Sequence, residues 1–164
     1  MTNYKAIVLV LSTKGAKGER EDKVGPSLAG PLQEAGYDLE PTIIISDDRE
    51  AISRTLVDLC DVQSLDLILT SGGTGLSPSD VTPEATIDVA DRLIPGLAEA
   101  MRATGRLITP HADLSRAVFA QRGQRLIVNL PGSPKGALEN LIVVLPALRH
   151  ALDKIKGDPA DCAR

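Results

Sequence analysis

The chain has 164 residues, a net charge of -4 and a composition that is 43% hydrophobic but only 2% aromatic. That length suits a single domain over residues 1–164 with a core of Ile, Val, Leu and Ala. The charge excludes broad nucleic-acid binding, which needs a basic surface, and no apolar stretch approaches a membrane span.

In chain order, Lys5–Ser12 reads as a buried strand, followed by a polar loop over Thr13–Lys23. The apolar run Ala6–Leu11 is too short for a signal peptide and lacks a cleavage pattern, so a cytoplasmic protein is expected. A helix is predicted over Pro26–Ala35, kinked or shortened by Pro31 and stopped by Gly36. Thr42–Ser46 is the next strand, with a possible start at Leu39. Asp48–Val62 is a helix with Ile52, Leu56 and Leu59 on one face. Leu65–Thr70 is a third strand, and Pro83–Arg92 and Pro95–Thr104 are helices. Val118–Gln121 and Arg125–Asn129, around Arg122-Gly123-Gln124, read as a hairpin added at one sheet edge. A helical region starts at Ser133, is interrupted at Pro146 and ends near Gly157, leaving 158–164 as a frayed tail. Strands alternating with helices imply an α/β fold with a mostly parallel sheet.

Cys60 and Cys162 form no CxxC pair, and His111 and His150 are isolated, so neither a zinc site nor a disulfide scaffold is expected. The informative stretch is Leu65–Thr86. A buried strand breaks into Thr70-Ser71-Gly72-Gly73-Thr74-Gly75, and Asp80-Val81-Thr82-Pro83-Glu84 then opens a helix. Strand, glycine loop and helix start are the parts of an anion site. Glycines let backbone N–H groups approach a ligand, and Thr70, Ser71 and Thr74 add hydroxyls. The loop is neither a Walker A motif nor GxGxxG. Thr82 reads as an N-cap with Pro83 at N1 and Glu84 on the helix dipole. Asp80 precedes the cap, and a carboxylate beside a phosphate loop points to a bridging Mg²⁺.

Asn129-Leu130-Pro131-Gly132-Ser133-Pro134-Lys135 is a second constellation, with Ser133 as N-cap and Lys135 in a first turn, where a bound anion would offset the unfavourable dipole. Asp47, after the second strand, reads either as an N-cap completed by Glu50 or as a metal-holding carboxylate, since strand carboxyl ends line the ligand crevice of such sheets. The charged loop from Lys14 to Lys23 reads as solvated or as a closure over an anion.

These three motifs, in this order and spacing, resemble the Mog/MoaB family of molybdenum-cofactor biosynthesis. Ile94-Pro95-Gly96 and Leu114-Ser115-Arg116 match as well, and the likeness spans about Lys5 to Ile155. The resemblance implies a three-layer α/β/α domain, a homotrimer, and molybdopterin binding. Its Mog branch implies adenylyl transfer from ATP with Mg²⁺ to the pterin's terminal phosphate, with hand-over to a molybdate-insertion protein. By the same resemblance the Gly72–Gly75 loop and Asp80 bind substrate phosphate and metal. Asp47 falls at the family's first functional aspartate, with Asp48 as the adjacent alternative. A non-catalytic pterin-binding MoaB-like role and a CinA-type nucleotide hydrolase are the competing readings.

Overall fold

The computed structural model describes residues 3–159. Cys162 and most of the expected tail lie outside them. The elements run β1 (Tyr4–Leu11), α1 (Thr13–Ala16), α2 (Val24–Glu34), β2 (Tyr37–Leu39), β3 (Ile43–Ile45), α3 (Arg49–Val57), β4 (Leu67–Ser71), α4 (Thr82–Val89), β5 (Arg92–Leu93), α5 (Pro95–Arg106), β6 (Phe119–Arg122), β7 (Arg125–Leu130) and α6 (Pro134–Ile155). A π-helical turn, Asp58–Val62, extends α3, and a 3-10 turn, Pro110–Leu114, follows α5.

The strands form one sheet in the order β2-β1-β4-β7-β6-β5, with β3 also beside β1. Pairing is parallel from β2 through β7 and antiparallel for β6 and β5. Period-two alternation along β1 sorts its side chains to two faces. Ala6, Val8 and Val10 pack under α2, α5 and α6 with Leu28, Met101 and Leu141. Ile7, Leu9 and Leu11 pack under α3 and α4 with Ile52, Leu56 and Ala85. This is the expected three-layer α/β/α arrangement. No helix among the described residues is long and apolar enough to cross a membrane.

Several local expectations are corrected. The second strand is two short ones. Ile7 and Val8 on β1 face Glu40, Pro41 and Thr42, so one extra residue bulges where Pro41 has no N–H to give the ladder. Neither helix is broken by its proline. α6 continues through exposed Pro146 because Ala137, Leu141, Val144, Leu148 and Leu152 form one buried stripe on both sides of it, and that burial outweighs a penalty of ~3 kcal/mol. α2 continues through Pro31 on Val24, Leu28 and Leu32. α4 ends at Val89, because Arg92 and Leu93 pair with Gln121 and Ala120 as an edge strand that a two-residue signal could not announce.

Candidate active site

β1 leads to β2 and β3 on one side, and the chain then crosses to β4 on the other. The carboxyl ends of β1 and β4 therefore flank a topological switch point, where open α/β sheets bind ligands. A cleft of about 820 Å³ lies there. Ser71, Gly72 and Gly73 line it from β4, Asp47 from beyond β3, Gly132 and Ser133 from beyond β7, and Arg20 and Lys23 from the charged loop.

The glycine loop is fixed by close approach. Gly72 has φ +112, and a Cβ there would lie 2.5 Å from the Leu11 carbonyl oxygen. Gly73 has φ +62, and its Cβ would run into Thr82 Oγ1. Both are conformations that side chains resist. Thr82 is not the N-cap. Val81 holds that position without a side-chain bond. The buried Thr82 hydroxyl instead donates to Gly72 O at 2.8 Å, and its N–H donates to Gly73 O at 3.2 Å. The start of α4 is thereby bolted to the back of the loop.

The three hydroxyls differ in use. Ser71 lines the cleft and donates to Pro131 O at 2.7 Å, tying the two candidate loops together. Thr74, within the loop, is buried, and neither it nor Gly75 is in the cleft lining. Thr70 is fully buried, and its Oγ1 accepts from Asn129 Nδ2 at 2.9 Å, so it braces the strand and does not face the cleft. Asn129 also donates to Thr86 Oγ1 at 3.0 Å and accepts from Val118 N–H at 3.2 Å. One buried amide thus joins β4, α4 and β7 beneath the site. Asn129→Ala would strand these partners without water, and we expect a loss of about 3 kcal/mol or more in urea denaturation.

The structure separates Asp47 from Asp48. Asp48 is extended and caps α3, accepting from Ala51 N–H at 2.8 Å. No capping box with Glu50 forms, because the cap sits one residue later than that pattern requires. Asp47 lines the cleft. Its Oδ2 accepts from the N–H and the hydroxyl of Thr13, both at 2.9 Å, and its N–H donates to Thr13 Oγ1 at 3.3 Å. The other carboxylate oxygen, Oδ1, has no hydrogen bond among the described residues. Asp80 is not in the cleft lining. Its Oδ2 accepts from Ser77 N–H at 2.9 Å and closes its own loop. Ser133 is both cleft wall and N-cap of α6, accepting from Gly136 N–H at 3.1 Å. Lys135 lies outside the lining, exposed and paired with Glu139 at 3.8 Å.

Arg116 is the residue whose role the pattern alone did not reveal. Its Nε donates to Gly75 O at 2.8 Å, a terminal nitrogen donates to Asp80 O at 2.5 Å, and the other pairs with Glu84. Its N–H donates to Thr74 O at 2.9 Å. Burial pushes the Glu84 carboxyl up, but its own backbone N–H and the Arg116 guanidinium outweigh burial and hold it below the usual carboxylate range. Its signal in the sequence was the Leu114-Ser115-Arg116 match, with no indication that three acceptors, from the loop and the start of α4, converge on that side chain.

Comparison with known proteins identifies the family. The family described as "Probable molybdopterin binding domain" matches residues 7–150. The chain is 40% identical over 155 residues to a molybdopterin adenylyltransferase of Helicobacter pylori, covering 92% of this chain and 87% of that one. It is 42% identical over 144 residues to the molybdopterin adenylyltransferase of Escherichia coli, covering 86% and 73%. The crystal structure of the molybdopterin biosynthesis enzyme MoaB from a Thermus species superposes with a TM-score of 0.89 at 46% identity, over 96% of this chain and 99% of that one. The family match over residues 7–150 and the identity to these relatives over most of the chain make this chain a member of the Mog/MoaB family of molybdenum-cofactor biosynthesis proteins.

Proposed function

We propose that the protein is a molybdopterin adenylyltransferase, moving AMP from ATP to the terminal phosphate of molybdopterin. The observation that carries this reading is that Asp47 and the bare backbone of Gly72 and Gly73 line one cavity, in a chain 40% identical to adenylyltransferases of that name. An oxygen of the pterin phosphate attacks the α-phosphorus of ATP. The α–β bridging P–O bond breaks as the new P–O bond forms, and pyrophosphate leaves with the electron pair. Two anions must meet, so positioning and charge neutralisation carry the catalysis. No covalent protein nucleophile is required. Burial pushes the Cys60 thiol up to about 12, which keeps it protonated.

The residues present fit a Mg²⁺ ion that arrives with ATP. Such ions are held by one or two carboxylates plus substrate phosphates, and Asp47 keeps one carboxylate oxygen unengaged on the cleft. Among the described residues no group of three His, Cys, Asp or Glu is assembled to hold a metal by itself. When bound, the ion would offset phosphate charge. Asp80, outside the cleft lining and holding Ser77 N–H through Oδ2, would join as a second ligand through its other carboxylate oxygen. Gly72, Gly73 and Ser133 hold the anionic substrate, with Arg20 and Lys23 supplying positive charge from the loop above.

Purified protein incubated with molybdopterin, ATP and Mg²⁺ tests the reading. Adenylylated pterin and pyrophosphate in equal amounts are expected. Pterin binding without transfer would make the chain a pterin-binding homologue, and pyrophosphate-bond hydrolysis without a pterin product would make it a hydrolase.

A homotrimer, a cytoplasmic setting and hand-over to a molybdate-insertion protein belong to the same proposal. Exposed Leu93, Leu107, Ile108 and Leu114, on β5 and the turns after α5, give an apolar surface for self-association. Light scattering should return about three times the chain mass at micromolar concentration, and a monomer there would defeat the trimer.

A further inference from the structure

The glycine loop is held largely by its carbonyls. Four consecutive carbonyl oxygens have partners: Gly72 O from the Thr82 hydroxyl, Gly73 O from Thr82 N–H, Thr74 O from Arg116 N–H and Gly75 O from Arg116 Nε. The same guanidinium holds Asp80 O at 2.5 Å, at the far end of the excursion. By contrast, among the described residues the N–H groups of Gly73, Thr74 and Gly75 donate no hydrogen bond within the protein. Peptide units are rigid planes, so fixing a carbonyl fixes the direction of the N–H that follows it. Residues 76–79 are exposed and contribute little burial to keep the loop in place.

We infer that Arg116 is a positioning residue for adenylyl transfer: Thr82 and the Arg116 backbone N–H set the Gly73, Thr74 and Gly75 amides, and the Arg116 guanidinium pins Gly75 O and Asp80 O, the two ends of the exposed 76–79 excursion, so that the loop stays set for phosphate. The inference rests on the functional reading above and adds to it which side chains make the loop a receptor. Arg116 is not among the residues that line the cleft. It works through the backbone, and its fork geometry is what allows one side chain to reach Gly75, Asp80 and Glu84 together. A lysine retains the charge but has a single nitrogen at its end.

The test compares Arg116→Lys with Glu84→Gln. Glu84→Gln removes the ion pair and leaves the carbonyl anchors. Arg116→Lys keeps a cation beside Glu84 and loses the fork. We expect Arg116→Lys to lower kcat by about a hundredfold, the order expected when reacting groups are misplaced by about 1 Å, with faster hydrogen exchange at residues 73–80 and little change in Tm. Glu84→Gln should keep kcat within about twofold. Partial restoration of an Arg116→Ala variant by added guanidinium would support the anchor directly. Thr82→Val, which removes the hydroxyl held by Gly72 O, provides a second approach if the Arg116 variants fail to fold, and should show the same kcat loss and exchange at 73–80. Wild-type kcat and exchange in folded Arg116→Lys or, failing that, in Thr82→Val would overturn the inference. So would equal losses in Arg116→Lys and Glu84→Gln, which would reduce Arg116 to an ion-pair partner. Absence of AMP transfer by the unsubstituted protein would defeat the functional reading instead, and molybdopterin binding and exchange at 73–80 in the same variants would then decide this inference.

Discussion

Asp47→Asn will lower kcat for AMP transfer by about a hundredfold or more with little change in Tm. The substitution preserves size and leaves an oxygen able to accept from Thr13, whose N–H and hydroxyl both reach Asp47 Oδ2. What it removes is the negative charge on the cleft wall, where ATP-bound Mg²⁺ would need an oxygen ligand. Asp48→Asn is the matched control. Asp48 caps α3 through Ala51 N–H, and asparagine caps about as well as aspartate, so both stability and rate should stay near wild type. Steady-state pyrophosphate release at several Mg²⁺ concentrations checks the pair. A full rate in Asp47→Asn would return that residue to a loop brace for Thr13, and a dead Asp48→Asn would move the metal-holding role one residue along.

Gly73→Val will weaken molybdopterin binding by at least about tenfold, roughly 1.4 kcal/mol, and will also destabilise the fold by about 2 kcal/mol. The structure adds the stability loss, because a Cβ at Gly73 meets the Thr82 hydroxyl that holds Gly72 O, at a φ of +62. Gly123→Ala separates strain from site. Gly123 has φ +53 with open space around its Cβ position, so that change should cost about 1 kcal/mol of backbone strain with binding untouched. Calorimetric titration with molybdopterin and urea denaturation measure the two effects apart. Unchanged affinity in folded Gly73→Val would make the loop an ordinary turn.

What the sequence disclosed follows from the range of the forces involved. The apolar runs at β1 and β4 and the stripe of α3 are local patterns, and the structure has them with ends shifted by a residue or two. The same holds for Ser133 as the cap of α6, since capping involves groups three residues apart. The register at Asp47 and Asp48 was not legible, because two adjacent carboxylates offer the same capping chemistry. Thr13, distant in sequence, decides which one is free to face the cleft. Thr70 and Thr74 looked alike beside the glycines, but Asn129 from β7 draws Thr70 into a buried network. Pro31 and Pro146 do not break their helices, since a proline's penalty is local and the burial that offsets it along α6 comes from the whole helix. The convergence of Arg116 on a loop some 40 residues earlier is a tertiary fact with no local pattern.

The bulge at Glu40, Pro41 and Thr42 has a consequence for how the molecule behaves at high concentration. An open strand margin offers unpaired N–H and C=O groups on which another chain can add itself. Here the margin beyond β1 is cut into two three-residue pieces by a residue that cannot donate, and the opposite margin, β5, is only two residues long. Neither offers a run long enough to template a further strand, so the rich Ile and Val content of the sheet interior stays out of reach of fibrillar growth while the fold holds. Deleting one bulge residue and replacing Pro41 by valine would rejoin the two pieces into a continuous β-branched border, Thr42-Ile43-Ile44-Ile45 included, and hand the protein the template it now lacks.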